Sequence, residues 1–268
     1  MSLITLASWN VNSLKVRLSQ VTAWLAATKT DALVLQETKL TDDAFPKDVF
    51  SEIGYDAVFT GQKTYNGVAL LTRRETMKAP ASPDFNMPGY PDDQKRLIAA
   101  DICPKDADTP VRFVGGYFPN GMAPGSWKYL YKLDWIEALT HYLETALKRN
   151  PRVVLGGDFN IAPEDADVWD PVSWKNRILV TPSERLAFAG LLDLGFEDSF
   201  RQLHPEEVRY SWWDYRMKAF ENNHGLRIDH LLVSKALSAS VKDAEIDAAP
   251  RHNAQPSDHA PVTVTIEL

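Results

Sequence analysis

Asp56-Ala57-Val58-Phe59-Thr60, Gly67-Val68-Ala69-Leu70-Leu71-Thr72, Leu97-Ile98-Ala99-Ala100-Asp101-Ile102 and Val111-Arg112-Phe113-Val114-Gly115-Gly116-Tyr117 follow one another with no helical pattern between them. Each run has strand length and is rich in Val, Ile, Leu or Phe. A doubly wound parallel sheet needs a helix after nearly every strand, and this stretch has none. Consecutive strands of this kind argue for mixed sheets with helices outside them.

Working outward, Leu3 to Trp9 reads as a strand, and Ala32 to Gln36 as another. Between them Leu14, Leu18, Val21 and Leu25 fall at helical spacing over Leu14 to Thr28, with Ser13 as the expected N-cap. Downstream, Trp127 to Arg149 is the longest helical pattern, and Val153 to Gly157 is an apolar strand run. Glu184 to Leu194 reads as a helix stopped by Gly195. Leu226 to Val233 and Ala260 to Glu267 are late strands. The last alternates Val262, Val264 and Ile266 with Thr263, Thr265 and Glu267, so one face is buried. There is no internal repeat, low-complexity tract or Gly/Ser linker, so residues 1–268 are expected to form a single domain.

The composition narrows the function classes. With 44% hydrophobic and 24% charged residues the chain can build a core and stay in solution. No apolar run approaches the roughly 18 residues of a membrane span. The opening Met1 to Leu6 has no basic n-region, so a secretory signal is not expected. Cys103 is the only cysteine, read as a small buried or half-buried thiol, so neither a disulfide frame nor a zinc cluster is available. A reducing cytoplasm fits. The net charge of −7 argues against a protein that coats nucleic acid, but not against an enzyme that touches it transiently.

Polar residues recur where apolar runs end. Asn10 and Asn12 follow the first strand, Glu37 the second, Tyr117 closes another, and Val153 to Gly157 runs into Asp158-Phe159-Asn160. Asp229-His230 follows Leu226-Arg227-Ile228, and Asp258-His259 precedes the final strand. Each has a plain alternative: Glu37 a solvated charge, Asp158 to Asn160 a turn, Asp258-His259 a loop cap, Tyr117 an ordinary strand aromatic. Together they supply what metal-assisted phosphoester cleavage needs. Mg²⁺ takes oxygen ligands and keeps waters, so one or two carboxylates suffice. Asp, Asn, His and Tyr can orient water and stabilise charge.

In this order, Trp9-Asn10-Val11-Asn12, Leu35-Gln36-Glu37-Thr38-Lys39, Gly157-Asp158-Phe159-Asn160, Arg227-Ile228-Asp229-His230 and Ser257-Asp258-His259-Ala260-Pro261 resemble the exonuclease III family of DNA repair nucleases. Gly61-Gln62-Lys63, Gly116-Tyr117-Phe118-Pro119 and Ser211-Trp212-Trp213-Asp214-Tyr215-Arg216 extend the likeness. It implies a four-layered α/β sandwich, two mixed sheets face to face with helices outside. It implies Glu37 as the principal ligand of Mg²⁺ or Mn²⁺, with Asn10 and Asp258 adding ligands. Asp158 would orient or deprotonate the attacking water, and Asn160 would donate to the scissile phosphate. His259 paired with Asp229 would contact that phosphate, and Tyr117 would stand near it. The implied substrate is double-stranded DNA with abasic sites, nicks or blocked 3′ ends, handled by a monomer without a membrane.

DNA contact is expected from local charge: Lys15, Arg17, Lys39, Lys63, Arg96, Lys128, Arg177, Arg216 and Lys218, with Trp212 packing on an exposed sugar or base. Trp213 departs from many family members and His230 and Asn120 from some, and His230 carries no implied role. Trp169 to Val180 would line the DNA side and govern which lesion enters. A lipid or inositol phosphatase would want a membrane-binding loop or a dense basic pocket. A non-catalytic relative would have lost part of the set.

Overall fold

The computed structural model describes residues 2–268. The first half of the chain runs β1 (Leu3–Asn10), α1 (Leu14–Thr28), β2 (Ala32–Gln36), α2 (Lys47–Glu52), β3 (Tyr55–Thr60), β4 (Val68–Arg73), β5 (Ala81–Phe85), β6 (Leu97–Ile102) and β7 (Val111–Tyr117). It continues with α3 (Trp127–Arg149), β8 (Val153–Asp158), α4 (Pro171–Trp174), α5 (Pro182–Asp193), β9 (Phe196–Asp198) and α6 (Ser199–Leu203). The last elements are β10 (Asp229–Ser234), α7 (Lys235–Ser238), β11 (Val241–Ile246) and β12 (Val262–Glu267).

Two six-stranded mixed sheets result, in the orders β11-β12-β1-β2-β4-β3 and β5-β6-β7-β8-β10-β9. Each has a single parallel pair at its centre, β1 with β2 and β7 with β8, and every other pairing is antiparallel. Each parallel pair is joined by a crossover helix, α1 or α3. The mixed sheets are those expected from the consecutive strands, and their stacking is the four-layered sandwich that the family resemblance implies.

Side-chain alternation explains the layers. Leu6, Val34, Leu70, Ile98, Phe113, Val154, Leu231 and Val264 meet between the sheets. Their neighbours Ala7, Leu33, Leu35 and Leu71 face outward under Val21, Leu25 and Phe50 of the first two helices. Val114, Leu155 and Leu232 face outward under Trp135, Leu139 and Phe188. Strands covered on both faces lose their polar alternation and become continuous apolar runs.

Several boundaries differ from expectation. Leu226 and Arg227 lie outside the ladder, because their backbones bond Trp212 and Asp167 rather than a neighbouring strand, and β10 begins only at Asp229. The final strand begins at Val262, after Pro261, which has no N–H to donate. The helix read from Glu184 begins at Pro182, because Thr181 caps it with a Thr181/Glu184 capping box. Ser13 precedes α1 with φ of 90° and makes no side-chain cap bond. At the centre of the second sheet Gly157 opposes Gly116, and a Cβ on Gly157 would sit 2.0 Å from the Gly116 carbonyl oxygen. This close approach immediately precedes Asp158.

Candidate active site

Both parallel pairs deliver polar residues at their C-terminal ends. Asn10 ends β1 and Glu37 follows β2 in one sheet; Tyr117 ends β7 and Asp158 ends β8 in the other. The register sets Tyr117 opposite Asp158, and Asp158 opposite Asp229, in one row across β7, β8 and β10. Each of the four stands where an apolar run stops, at a strand end.

Asn10 joins the two sheets. Its buried amide nitrogen donates to Glu37 Oε1 and to Asp158 Oδ2, both at 2.9 Å. Its Oδ1 accepts from the Asn12 N–H at 2.9 Å. Lys39 Nζ lies 2.9 Å from Glu37 Oε2 and donates to Asn12 Oδ1 at 2.5 Å. The backbone here is strained: Asn12, Ser13, Glu37, Lys39, Asn66 and Asn160 all have positive φ. Non-glycine residues hold such angles only where surrounding contacts enforce them, and that is common at active sites.

The opposite wall is an acid–imidazole row. His259 Nδ1 donates to Asp229 Oδ2 at 2.9 Å, and its Nε2 lies 3.7 Å from Asp158 Oδ2. Ser211 Oγ donates to Asp229 Oδ2 at 2.7 Å and accepts the N–H groups of Ile228 and Asp229, both at 3.0 Å. Ser257 Oγ donates to the Asn10 carbonyl at 2.6 Å and accepts the His259 N–H at 3.2 Å. Burial works against a charged ring, but the Asp229 and Asp158 carboxylates outweigh it and hold the His259 imidazolium above the ordinary histidine value. Burial pushes the Asp158 carboxyl up; His259 pulls it down and Asp229 adds to the rise. Burial also raises the Tyr117 phenol, reinforced by the charges of Glu37 and Asp158 and opposed by Arg96.

Asn160 sits beside Asp158. Its N–H donates to Asp158 Oδ1 at 2.9 Å and its Nδ2 to Asp158 Oδ2 at 3.2 Å. Asp258 lies on the outer side of His259, accepting from Asn12 Nδ2 and Trp212 Nε1, each at 3.0 Å. Burial opposes its charge, but His259, Trp212 and Asn12 hold its carboxyl low.

Two groupings bear on a metal. Asp158, Asp229 and His259 offer ligand-type atoms all within 4.8 Å of one another. His259 is turned to Asp229 and held charged, so its ring offers no lone pair to a cation and can donate to an anion instead. Glu37 and Asp158 converge on the Asn10 amide with oxygen atoms alone, a donor set that fits a hard divalent ion.

The residues expected to meet DNA are dispersed around this floor. Lys63, Arg177 and Arg216 are exposed, and Arg216 pairs with Asp214 at 2.6 Å. Arg96 is half-buried, 4.7 Å from the Tyr117 ring centre, with its guanidinium bound to Gln94 Oε1 at 2.8 and 3.0 Å. It also donates to the Tyr117 carbonyl at 3.3 Å. Trp212 is half-buried and pinned by Asp258, whereas Trp213 is core. Trp169 stacks on His224 with ring centres 3.8 Å apart. Sequence reasoning missed Ser211 and Ser257; a lone serine beside a motif carries no spacing signal.

A family model described as the endonuclease/exonuclease/phosphatase family matches residues 7–259. The chain is 38% identical to the exodeoxyribonuclease III of Haemophilus influenzae over 95% of this chain and 97% of that one. Among solved structures it is similar to the 3′ phosphatase NExo from Neisseria bound to a product DNA hairpin. That match has a TM-score of 0.93 and 45% identity, covering 99% of this chain and 100% of that one. An AP endonuclease from Archaeoglobus fulgidus is similar at a TM-score of 0.92 and 37% identity, again over 99% and 100% of the two chains.

Proposed function

This chain belongs to the endonuclease/exonuclease/phosphatase family, and we propose from its site how it acts as a metal-dependent DNA repair hydrolase of the exodeoxyribonuclease III type. The substrates are phosphodiesters or 3′-phosphates in double-stranded DNA, at abasic sites, nicks or blocked 3′ ends. Metal dependence belongs to this type of enzyme.

The observation that carries the reading is the convergence of Asn10, Glu37, Asp158 and Asn160 with the Asp229–His259 pair at one edge of the sandwich. Asp158, with its carboxyl raised by burial, takes the proton of an attacking water. His259, kept charged by Asp229, and the Asn160 amide donate to the phosphoryl oxygens. The Tyr117 phenol, kept protonated by burial, stands near the leaving oxygen. Glu37, with Asn10 and Asp258 as further ligands directly or through water, would hold Mg²⁺ or Mn²⁺, which when bound neutralises charge on the phosphoryl oxygens. The DNA backbone meets Lys63, Arg177 and Arg216, with Arg96 and Trp212 nearer the lesion. A monomer working in the cytoplasm on nucleoid DNA suits this chemistry. Among the described residues no helix is long and apolar enough to cross a membrane.

The test uses three substrates, each with Mg²⁺ and with a chelator: an internal abasic analogue, a nick bearing a 3′-phosphate, and a blunt duplex. Metal-dependent product on at least one is expected, and its pattern names the dominant activity. No product on any of them overturns the reading.

A further inference from the structure

Lys132 on α3 and Glu184 on α5 are fully buried and pair at 2.5 Å. A buried ion pair adds little net stability over an apolar pair of equal volume, because both charges give up hydration. The remaining contacts show where the charge is directed. The Lys132 ammonium donates to the Asn160 carbonyl at 2.7 Å and reaches the Asn120 carbonyl at 3.4 Å. With Glu184, these use all three N–H directions. Glu184 Oε2 in turn accepts from Thr181 N at 3.0 Å and Thr181 Oγ1 at 2.8 Å, anchoring the first turn of α5.

Both carbonyls belong to residues that touch each other. Asn120 Nδ2 donates to Asn160 Oδ1 at 3.0 Å, and Asn160 holds Asp158 through its N–H and its amide. Asn160 has φ of 51°, a conformation that needs outside support. The lysine stem is packed as well: a Cβ on Gly121 would come within 3.2 Å of Lys132 Cδ. One buried ammonium therefore ties the Asn120 and Asn160 segments of the site together.

We propose that Lys132, with Glu184 as its counter-ion, is a positioning residue for the hydrolysis, holding the Asn160 peptide so that the Asn160 amide and Asp158 carboxyl keep their aim at the phosphate. It touches no substrate and acts through Asn160. The inference rests on the DNA hydrolysis proposed above. Activity of the parent protein tests that reading, and the ratio of variant to parent tests this one.

The decisive variant is Lys132→Met/Glu184→Leu, which removes both charges together and leaves neither ion uncompensated. It is expected to fold and to lose ~10–10²-fold in kcat, the scale of a small misplacement of reacting groups, with KM for duplex DNA unchanged. Combined with Asn160→Ala, the two losses should overlap rather than multiply, because they act through one residue. A parental kcat, a loss confined to KM, or losses that multiply would each overturn the proposal. Should the double variant not fold, Glu184→Gln preserves the buried shape and carries the same comparison. It should lower kcat about 3-fold at constant KM, a smaller misplacement of the same kind, and an unchanged kcat overturns the proposal.

Discussion

Two charged clusters flank the second sheet, one within its margin and one bridging it to Glu37 and Lys39 after β2 of the first, and they are built on opposite rules. In the first, Arg227 bonds Asp167 at 2.7 Å and Asp198 at 2.7 Å, and Arg201 bonds Asp167 at 2.5 Å. Burial opposes the two carboxylates, but Arg227 overcomes it and holds both below the usual carboxylate range. In the second, Glu37, Asp158 and Asp229 face one imidazolium and one lysine. There burial and neighbouring negative charge leave Asp158 raised. A cluster whose charges balance is costly to break, because losing one partner strands a buried charge. A cluster short of positive charge is costly on its own, and on the proposed reading a cation and a phosphate would complete it.

The largest expected effect breaks the second cluster. Asp158→Asn should cost ~10²–10³ in kcat, the scale of losing one preorganised group. Its thermal midpoint should stay level or rise, since a buried like charge has been removed. Glu37→Ala and His259→Asn should likewise lose most activity while folded. Near-normal turnover in Asp158→Asn would remove it from the proposed role, and a large drop in its midpoint would erase the contrast.

Arg227→Met is the counterpart in the balanced cluster. It leaves Asp167 and Asp198 buried without their cation, which should cost about 3–5 kcal/mol of stability. Urea unfolding would measure it. If Arg227→Met unfolds at the parent's urea concentration, the cluster is not what secures this corner of the sheet.

The pH dependence follows from the same carboxylates. Asp167 and Asp198 titrate lower in the folded protein than the value near 3.9 of an unfolded chain. Their contribution is therefore complete above about pH 4 and is lost as pH falls through the folded values. The parent's unfolding midpoint should drop steeply in acid, and Asp198→Asn should be weaker at neutral pH but show a shallower acid decline. Parallel curves for the two proteins below about pH 4 would mean that Asp198 is not depressed.

How much of this could be read in the sequence follows the same division. The four runs between Asp56 and Tyr117 were legible because strands covered on both faces leave continuous apolar segments. β5, β9 and β11 were not read. β5 is an edge strand containing Pro83 with mostly exposed residues, β9 is three residues long, and β11 is interrupted by a register shift. The candidate site was legible only as a set: Asn10, Glu37, Tyr117 and Asp158 each end an apolar run and each has a plain alternative, and it is their joint order that points to one site. The balanced cluster was not, because Asp167 and Arg227 are 60 residues apart and neither follows a recognisable spacing. Lys132 was hidden inside the longest helix, where a lysine ordinarily reads as surface. Glu184 left a trace in the Thr181-to-Glu184 capping pattern, yet the reading began the helix at Glu184 itself.

His230 is where the two clusters meet, and its substitution gives the smallest expected effect. The sequence left it without a role. The ring packs between Phe159 and Phe188, with centres 5.0 Å from each. Arg227 Nη1 lies 3.1 Å from His230 Nδ1, and a guanidinium can only donate, so Nδ1 accepts. The proton then sits on Nε2, which donates to the Ile161 carbonyl at 3.0 Å. His230 thus ties the balanced cluster to the residue after Asn160. His230→Leu would fill the same space between the aromatic rings but leave the Ile161 carbonyl without its donor, a loss of about 1–3 kcal/mol. The unfolding midpoint should fall with an unchanged denaturant slope, and turnover should fall far less than in Asp158→Asn. A His230→Leu protein as stable as the parent would reduce the ring to packing and leave the two clusters independent.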